Sequence, residues 1–178
     1  LFMLPFFRPP TGNEALDGDD LVNQQYPLYS FIFDSIRDGD GLPLWNPYQF
    51  GGQSIVSNPQ STIFYPPAWI MLPLGVPRGV GWLFVLHIWW GGWGLAIFTR
   101  RLGASAAGSL AGGIVYTFSG VIAAHLNAGH LNYLMCSAWL PWMAAAYLWG
   151  VGRQNCTLAA LPGAAALGLC FLTGHPPM

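Results

Sequence analysis

The sequence predicts an all-α fold: a polytopic integral membrane helical bundle whose large extracytoplasmic first loop contains an amphipathic helix. Three observations predict it. The chain of 178 residues is 53% hydrophobic and only 7% charged. An ordinary soluble domain carries roughly 25% charged residues, so there is too little charge here to cover a water-facing globule, and lipid is the expected solvent. The charges are also segregated. All seven acids (Glu14, Asp17, Asp19, Asp20, Asp34, Asp38, Asp40) precede Gly41, and from Gly41 onward the only formal charges are Arg78, Arg100, Arg101 and Arg153. Finally, apolar runs of membrane-crossing length fill the second half. Net charge is -1 and no Lys is present, so no basic patch points to nucleic acid as a partner.

The elements follow in order, within a single membrane domain, 1–178. Leu1 to Phe7 (LFMLPFF) reads as the end of a preceding transmembrane helix, 1–8, because it has neither the charged start nor the cleavage site of a signal peptide. Both chain ends read as cut. Residues 9–78 form the extracytoplasmic loop, opening with turn residues at 9–13. Within it Val22, Tyr26, Tyr29, Phe33 and Ile36 recur at helical spacing and make one apolar stripe. Asp19 or Asp20 suits the start of that helix as a cap, Gly39 suits its end, and Pro27 marks where the regular part begins. Residues 41–67 are dense in Pro, Gly, Asn and Gln, yet Trp45, Tyr48, Phe50, Phe64 and Tyr65 give them something to bury, which predicts an ordered loop. Residues 68–76 are too short to span and suit an interfacial or re-entrant segment.

Four spans are expected after the loop: 79–99, 103–124, 131–151 and 156–173. The second is rich in Gly, Ala and Ser, which lets helices approach closely in lipid. Pro141 predicts a kink in the third, and the fourth is short and carries Pro162. Cys136, Cys156 and Cys170 fall in apolar stretches at spacings that match no metal motif and read as small packing residues. Short cytoplasmic connections collect Arg and Lys, so Arg100-Arg101 and Arg153 put those two turns inside. The turn from His125 to His130, the tail at His175 and the whole loop then fall outside, with Arg78, at the outer end of the first span, breaking the pattern. That topology brings His125, His130 and His175 to the face that carries Asp19 and Asp20.

An ordered string of motifs resembles the bacterial YfhO-type membrane proteins. It comprises Asp20, then Gln24-Gln25-Tyr26-Pro27, Leu42-Pro43-Leu44-Trp45-Asn46-Pro47-Tyr48, Phe50-Gly51-Gly52, Asn58-Pro59-Gln60-Ser61, Phe64-Tyr65-Pro66, Gly129-His130 and Gly174-His175-Pro176. The resemblance covers about 20 to 178. That family is in turn similar to the GT-C glycosyltransferases, multi-span enzymes that move a sugar from a polyprenyl-phosphate donor to an acceptor outside the cytoplasm. The resemblance implies a bundle in the bacterial cytoplasmic (inner) membrane. It also implies a catalytic acid in the first outer loop, and a cell-envelope glycopolymer, lipid or protein as acceptor.

The chemistry needs a base or charge stabiliser near the acceptor hydroxyl and donors near the leaving phosphate. Asp20 or Asp19 fits the first need; adjacent residues on a helix point about 100° apart, so one of them serves. The competing reading makes them a cap pair. Asp17-Gly18-Asp19 has the form of a metal pair that takes a hard cation such as Mg²⁺ or Mn²⁺, although acids in a glycine turn are common. His125, His130, His175 and Arg78 are the candidate phosphate or acceptor contacts, against interfacial anchors. Trp45, Asn46, Tyr48, Asn58 and Gln60 offer stacking faces and amides to a sugar, against a tightly packed loop. His87, near the middle of the first span, is a functional candidate by its depth, against a neutral hydrogen-bonded core histidine.

Two rival functions stand beside a glycosyltransferase. A transporter or flippase for lipid-linked saccharide calls for intramembrane charge, and the spans hold almost none beyond His87. A non-catalytic envelope protein of the same fold would tolerate Asn at both Asp19 and Asp20.

Overall fold

The computed structural model describes residue 16, residues 18–151 and residues 156–175, the side chains of 156–159 excepted. The expected helix end 1–8, the turn at 9–13, Asp17, Arg153 and the tail beyond His175 lie outside the described residues. What is described is mostly helical. The helices are α1 (Tyr26–Asp38), α2 (Met71–Leu74), α3 (Val76–Arg101), α4 (Ala106–Thr117), α5 (Gly120–Ala128), α6 (Leu131–Ser137), α7 (Leu140–Gly150) and α8 (Cys156–Leu172). One departure from an all-α chain occurs among the described residues. A small antiparallel ladder pairs β1 (Trp45–Asn46) with β2 (Gln53–Ser54) inside the ordered loop.

The loop helix starts differently from the expectation. Leu21–Gln25 is a π turn that runs straight into α1, and Pro27 sits at the start of α1, where its missing N–H costs nothing. The wider π turn carries one more residue per turn than the 3.6 period, so the inward face shifts. Leu21, Gln25, Leu28, Tyr29, Ile32 and Phe33 are buried, while Val22, expected on the stripe, is half exposed. Asp20 makes no side-chain capping bond, so the cap role does not hold for it. Gly39 ends α1 in the left-handed conformation as expected.

The helices expected as spans also differ in detail. The helix expected at 79–99 begins earlier, at Val76, with Pro77 in its first turn, so Arg78 belongs to the helix. The second apolar run is jointed: α4 ends at Thr117, and Ser119, extended, caps α5 by accepting from the Ile122 N–H. The third is broken into α6 and α7, and Pro141 opens α7 instead of kinking a continuous helix. Pro162 does lie inside α8.

α3 is the central post. It packs along α4 on one side, α7 on another, and α6 near its start. Half of its apolar window is buried, against 22% for the 106–128 segment. These two segments are long and apolar enough to cross a membrane. Their outward faces carry Trp89, Trp93, Ile114, Val115 and Val121, all at least half exposed, an apolar surface that water solvates poorly. Tyr29, Ile32 and Phe33 of the loop helix are buried in one core with Val80, Leu83 and Phe84 of α3 and Leu131, Leu134 and Met135 of α6. The loop is therefore part of the fold and not a tether.

The α3–α4 crossing depends on glycine. A Cβ on Gly113 would stand 2.7 Å from the Gly92 carbonyl oxygen, so the two backbones touch directly. Gly113→Val should lower stability by about 1–3 kcal/mol, the usual cost of overpacking, read as an earlier thermal melt in detergent. An unchanged melt would mean that the crossing carries no constraint.

Candidate functional site

A cavity of about 330 Å³ lies where the loop meets the ends of the helices, lined by Asp20, Gln25, Gln60, His125, His130, Asn132, Tyr133 and His175. Five of the residues singled out in the sequence (Asp20, Gln60, His125, His130, His175) converge there. Asp20 comes from the turn that leads into α1, His125 from α5, His130 from the turn before α6, and His175 from just beyond α8.

A close backbone approach aligns the first pair. A Cβ on Gly18 would lie 2.9 Å from the Gly129 Cα, so only a residue without a side chain lets the loop lie on the α5–α6 turn. Gly129 closes α5 in the left-handed conformation, φ 82°, and the next residue is His130. His130 Nε2–H then donates to Asp20 Oδ2 at 3.1 Å. On the other side of the same ring, His130 Nδ1 lies 2.7 Å from His125 Nδ1. Two N–H groups cannot face each other at that distance, so one proton is shared between the rings. With Nε2–H committed to Asp20, His130 Nδ1 accepts and His125 Nδ1–H donates, giving a hydrogen-bonded line from His125 through His130 that orients the Asp20 carboxylate. His125 stacks on Tyr133 with ring centres 3.8 Å apart, and His175 meets Tyr133 edge-on at 5.6 Å, which fixes both imidazoles on the wall. The side chains of Asp20 and His130 are 52% and 39% exposed, so the pair opens to solvent while the amides behind it are buried.

Those amides were not singled out in the sequence as a site. Asn132 is 3% and Gln25 6% exposed. Asn132 Nδ2 donates to the Thr173 backbone carbonyl at 2.7 Å. A backbone carbonyl only accepts, which fixes the amide: Oδ1 faces the other way and accepts from Tyr29 O–H at 3.2 Å and Gln25 Nε2 at 3.0 Å. Gln25 must therefore turn its Oε1 away from Asn132, and that oxygen is buried with no protein partner. Gln24 bonds Gln60 across the rim. Burial raises the Tyr29 hydroxyl to about 12, with the Thr62 and Asn132 contacts opposing the shift. No sequence signal marked Asn132, and Gln25 lay off the expected apolar stripe.

The remaining candidates sit elsewhere. Asn46 is buried and holds its own turn, accepting from the Tyr48 N–H and donating to Gln49. Asn58 caps a short helical turn by accepting from the Gln60 N–H. Trp45 covers Gly52, and Tyr48, largely exposed, meets Phe31 edge-on. Arg78 is exposed on the first turn of α3 and does not line the cavity. Asp19 is exposed beside Asp20. Among the described residues no three His, Cys, Asp or Glu side chains are grouped to hold a metal ion, and the cavity is rich in nitrogen where Mg²⁺ takes oxygen. His87 is buried and fully engaged: Nδ1–H donates to the Leu83 carbonyl at 2.7 Å, and Nε2 accepts from Tyr65 O–H. The Tyr65 oxygen in turn accepts from Trp139 Nε1–H at 3.0 Å, and burial pushes the Tyr65 hydroxyl well above its usual range.

No family model, curated protein or solved structure matches this chain. The geometry of the cavity therefore carries the functional argument.

Two outcomes test the geometry. Asn132→Leu should leave Gln25 Nε2, Tyr29 O–H and the Thr173 carbonyl unpaired and destabilise by about 3 kcal/mol, measured by denaturation in detergent; a loss below about 0.5 kcal/mol would remove Asn132 from its central position. The Tyr29 hydroxyl is raised above its unfolded value of 10.0, so its contribution is complete below pH 10 and fades as pH climbs from 10 to 12. Tyr29→Phe should flatten the pH dependence of stability across that window, and an unaltered slope would show that Tyr29 does not titrate there.

Proposed function

We propose that this chain is part of a multi-pass membrane glycosyltransferase, resembling the GT-C type through the YfhO-like motifs. It moves a sugar from a polyprenyl phosphate to a hydroxyl of a cell-envelope acceptor on the extracytoplasmic side of the bacterial inner membrane. The observation that carries this reading is the hydrogen-bonded line Asp20–His130–His125 opening on a polar cavity beside helices apolar enough to cross a membrane. A base at that position meets substrates that arrive in the bilayer and react at its surface.

In the proposed transfer the acceptor hydroxyl lies against Asp20. Its proton passes to the Asp20 carboxylate, which His130 Nε2–H holds in place by hydrogen bond. The oxygen bonds to the anomeric carbon, and the bond from that carbon to the phosphate oxygen breaks, leaving the electron pair on the polyprenyl phosphate. His175, on the same wall, is a donor for that phosphate. The unpartnered Gln25 Oε1 supports a hydroxyl-bearing ligand, because a buried acceptor without a partner is costly until a donor reaches it. Asp19 lies outside the cavity lining and is the secondary candidate.

The test uses the full-length protein in a strain lacking the native gene, with envelope glycans read by mass spectrometry and protein level by immunoblot. Asp20→Asn should reduce the glycosylated product about 100-fold or more, and His130→Gln by a smaller factor, with protein accumulating normally. Asp19→Asn should leave product within a few-fold. Normal product from an Asp20→Asn strain would sink the catalytic assignment and leave a non-enzymatic envelope protein.

A further inference from the structure

Cys136 on α6 and Cys170 on α8, read from the sequence as small packing residues, meet in the core. Their sulfurs are 2.7 Å apart across a sequence separation of 34 residues. Both are buried, Cys136 at 3% exposure and Cys170 at 0%. We propose that in the mature protein these two sulfurs are joined as a disulfide, a covalent cross-link between α6 and α8.

Three features carry the proposal. The approach is closer than two thiols need for packing, and the covalent bond requires only a small further movement, to about 2 Å. Cys136 lies one turn beyond Asn132, toward the end of α6, and Cys170 lies in the last turn of α8, three residues before Thr173. On the orientation proposed above, the end of α8 that carries Cys170 lies toward the oxidising side, where structural disulfides form and persist. The cross-link would also act on the cavity. Thr173 Oγ1–H donates to the Cys170 carbonyl at 2.6 Å, and the Thr173 carbonyl accepts from Asn132. Fixing the two sulfurs therefore pins both ends of the contact that orients Asn132 and, through it, Gln25.

The chemistry is thiol–disulfide exchange with an oxidised dithiol oxidoreductase as the oxidant. One Cys thiolate attacks a sulfur of the oxidant's disulfide, forming a mixed disulfide and releasing one oxidant thiolate. The second Cys thiolate then displaces the other, so two electrons pass to the oxidant, which leaves as a dithiol holding the two protons. This happens before α6 and α8 close, because the finished pair is shielded. The alternative state is a reduced pair, in which the Cys170 thiol donates to the Cys136 carbonyl at 3.6 Å.

The experiment reads the sulfurs of the full-length protein. Cells are quenched and denatured in N-ethylmaleimide, and membranes are digested without reductant for peptide mass mapping. The expected result is a linked peptide containing Cys136 and Cys170, two hydrogens lighter than the sum of its thiol parts, which separates on reduction. In a Cys136→Ser protein Cys170 should become fully alkylated, and the detergent melt should fall by several degrees. Recovery of Cys136 and Cys170 in the wild-type protein as separate ethylmaleimide adducts would overturn the cross-link. The proposal rests on the orientation given under the proposed function. Its failure is nonetheless distinguishable, because peptide mapping is independent of transfer activity.

Discussion

The arrangement of the cavity depends on one buried amide. Asn132 connects three parts of the chain that are far apart in sequence: Gln25 and Tyr29 at the start of the loop helix, its own helix α6, and the Thr173 carbonyl at the end of α8. A primary amide buried at this depth is tolerated only when its groups are bonded, and here both N and O are used. The carbonyl of Thr173 removes the choice of amide orientation, and that decision passes outward to Gln25. The chemical character of the inner wall, an acceptor with no internal partner, thus follows from a backbone carbonyl on the far side of Asn132.

Two buried polar sets in this molecule answer different questions. Around His87 the count closes: Leu83, Tyr65 and Trp139 satisfy both ring nitrogens and the phenol. Such a set pins α3 to the loop and to the α6–α7 joint and asks for no ligand. Around Gln25 the count does not close. Depth in the first span made His87 a functional candidate, but the bonding count favours a structural role. For a saccharide transporter, which needs ionisable groups along a path, that leaves little to work with in α3.

The sequence made the outline of the site legible, for a topological reason. Arginine placement put the His125–His130 turn, the His175 end and the acidic loop on one side of the bundle, and an Asp20–histidine meeting needs only that. Periodicity failed at Gln25 because the π turn at Leu21–Gln25 changes the period locally. A stripe drawn at 3.6 residues leaves Val22 inside and Gln25 outside, the reverse of what burial shows. Asn132 was hidden for a different reason: its three partners lie 103, 107 and 41 residues away, and no local spacing encodes a contact of that range. Prolines were legible as breaks but not as to kind. Pro27 and Pro141 start helices, whereas Pro162 lies within one.

Exposure divides the cavity into two zones with different tasks. Asp20 and His130 sit at its open side, about half exposed, within reach of a group arriving from water. Gln25 and Asn132 lie behind them, buried, where hydrogen bonds are stronger and errors in pairing more costly. Under the proposed function, base chemistry would belong to the first zone and discrimination to the second. A ligand lacking a donor for Gln25 Oε1 would leave a buried acceptor unpaired, a penalty of about 1–3 kcal/mol, while one that merely reached Asp20 would gain little in water. Under the proposed function, selectivity for a hydroxyl-rich ligand would arise from the loop helix and α6 together. The loop therefore has to be packed into the core through Tyr29, Ile32 and Phe33 instead of hanging free.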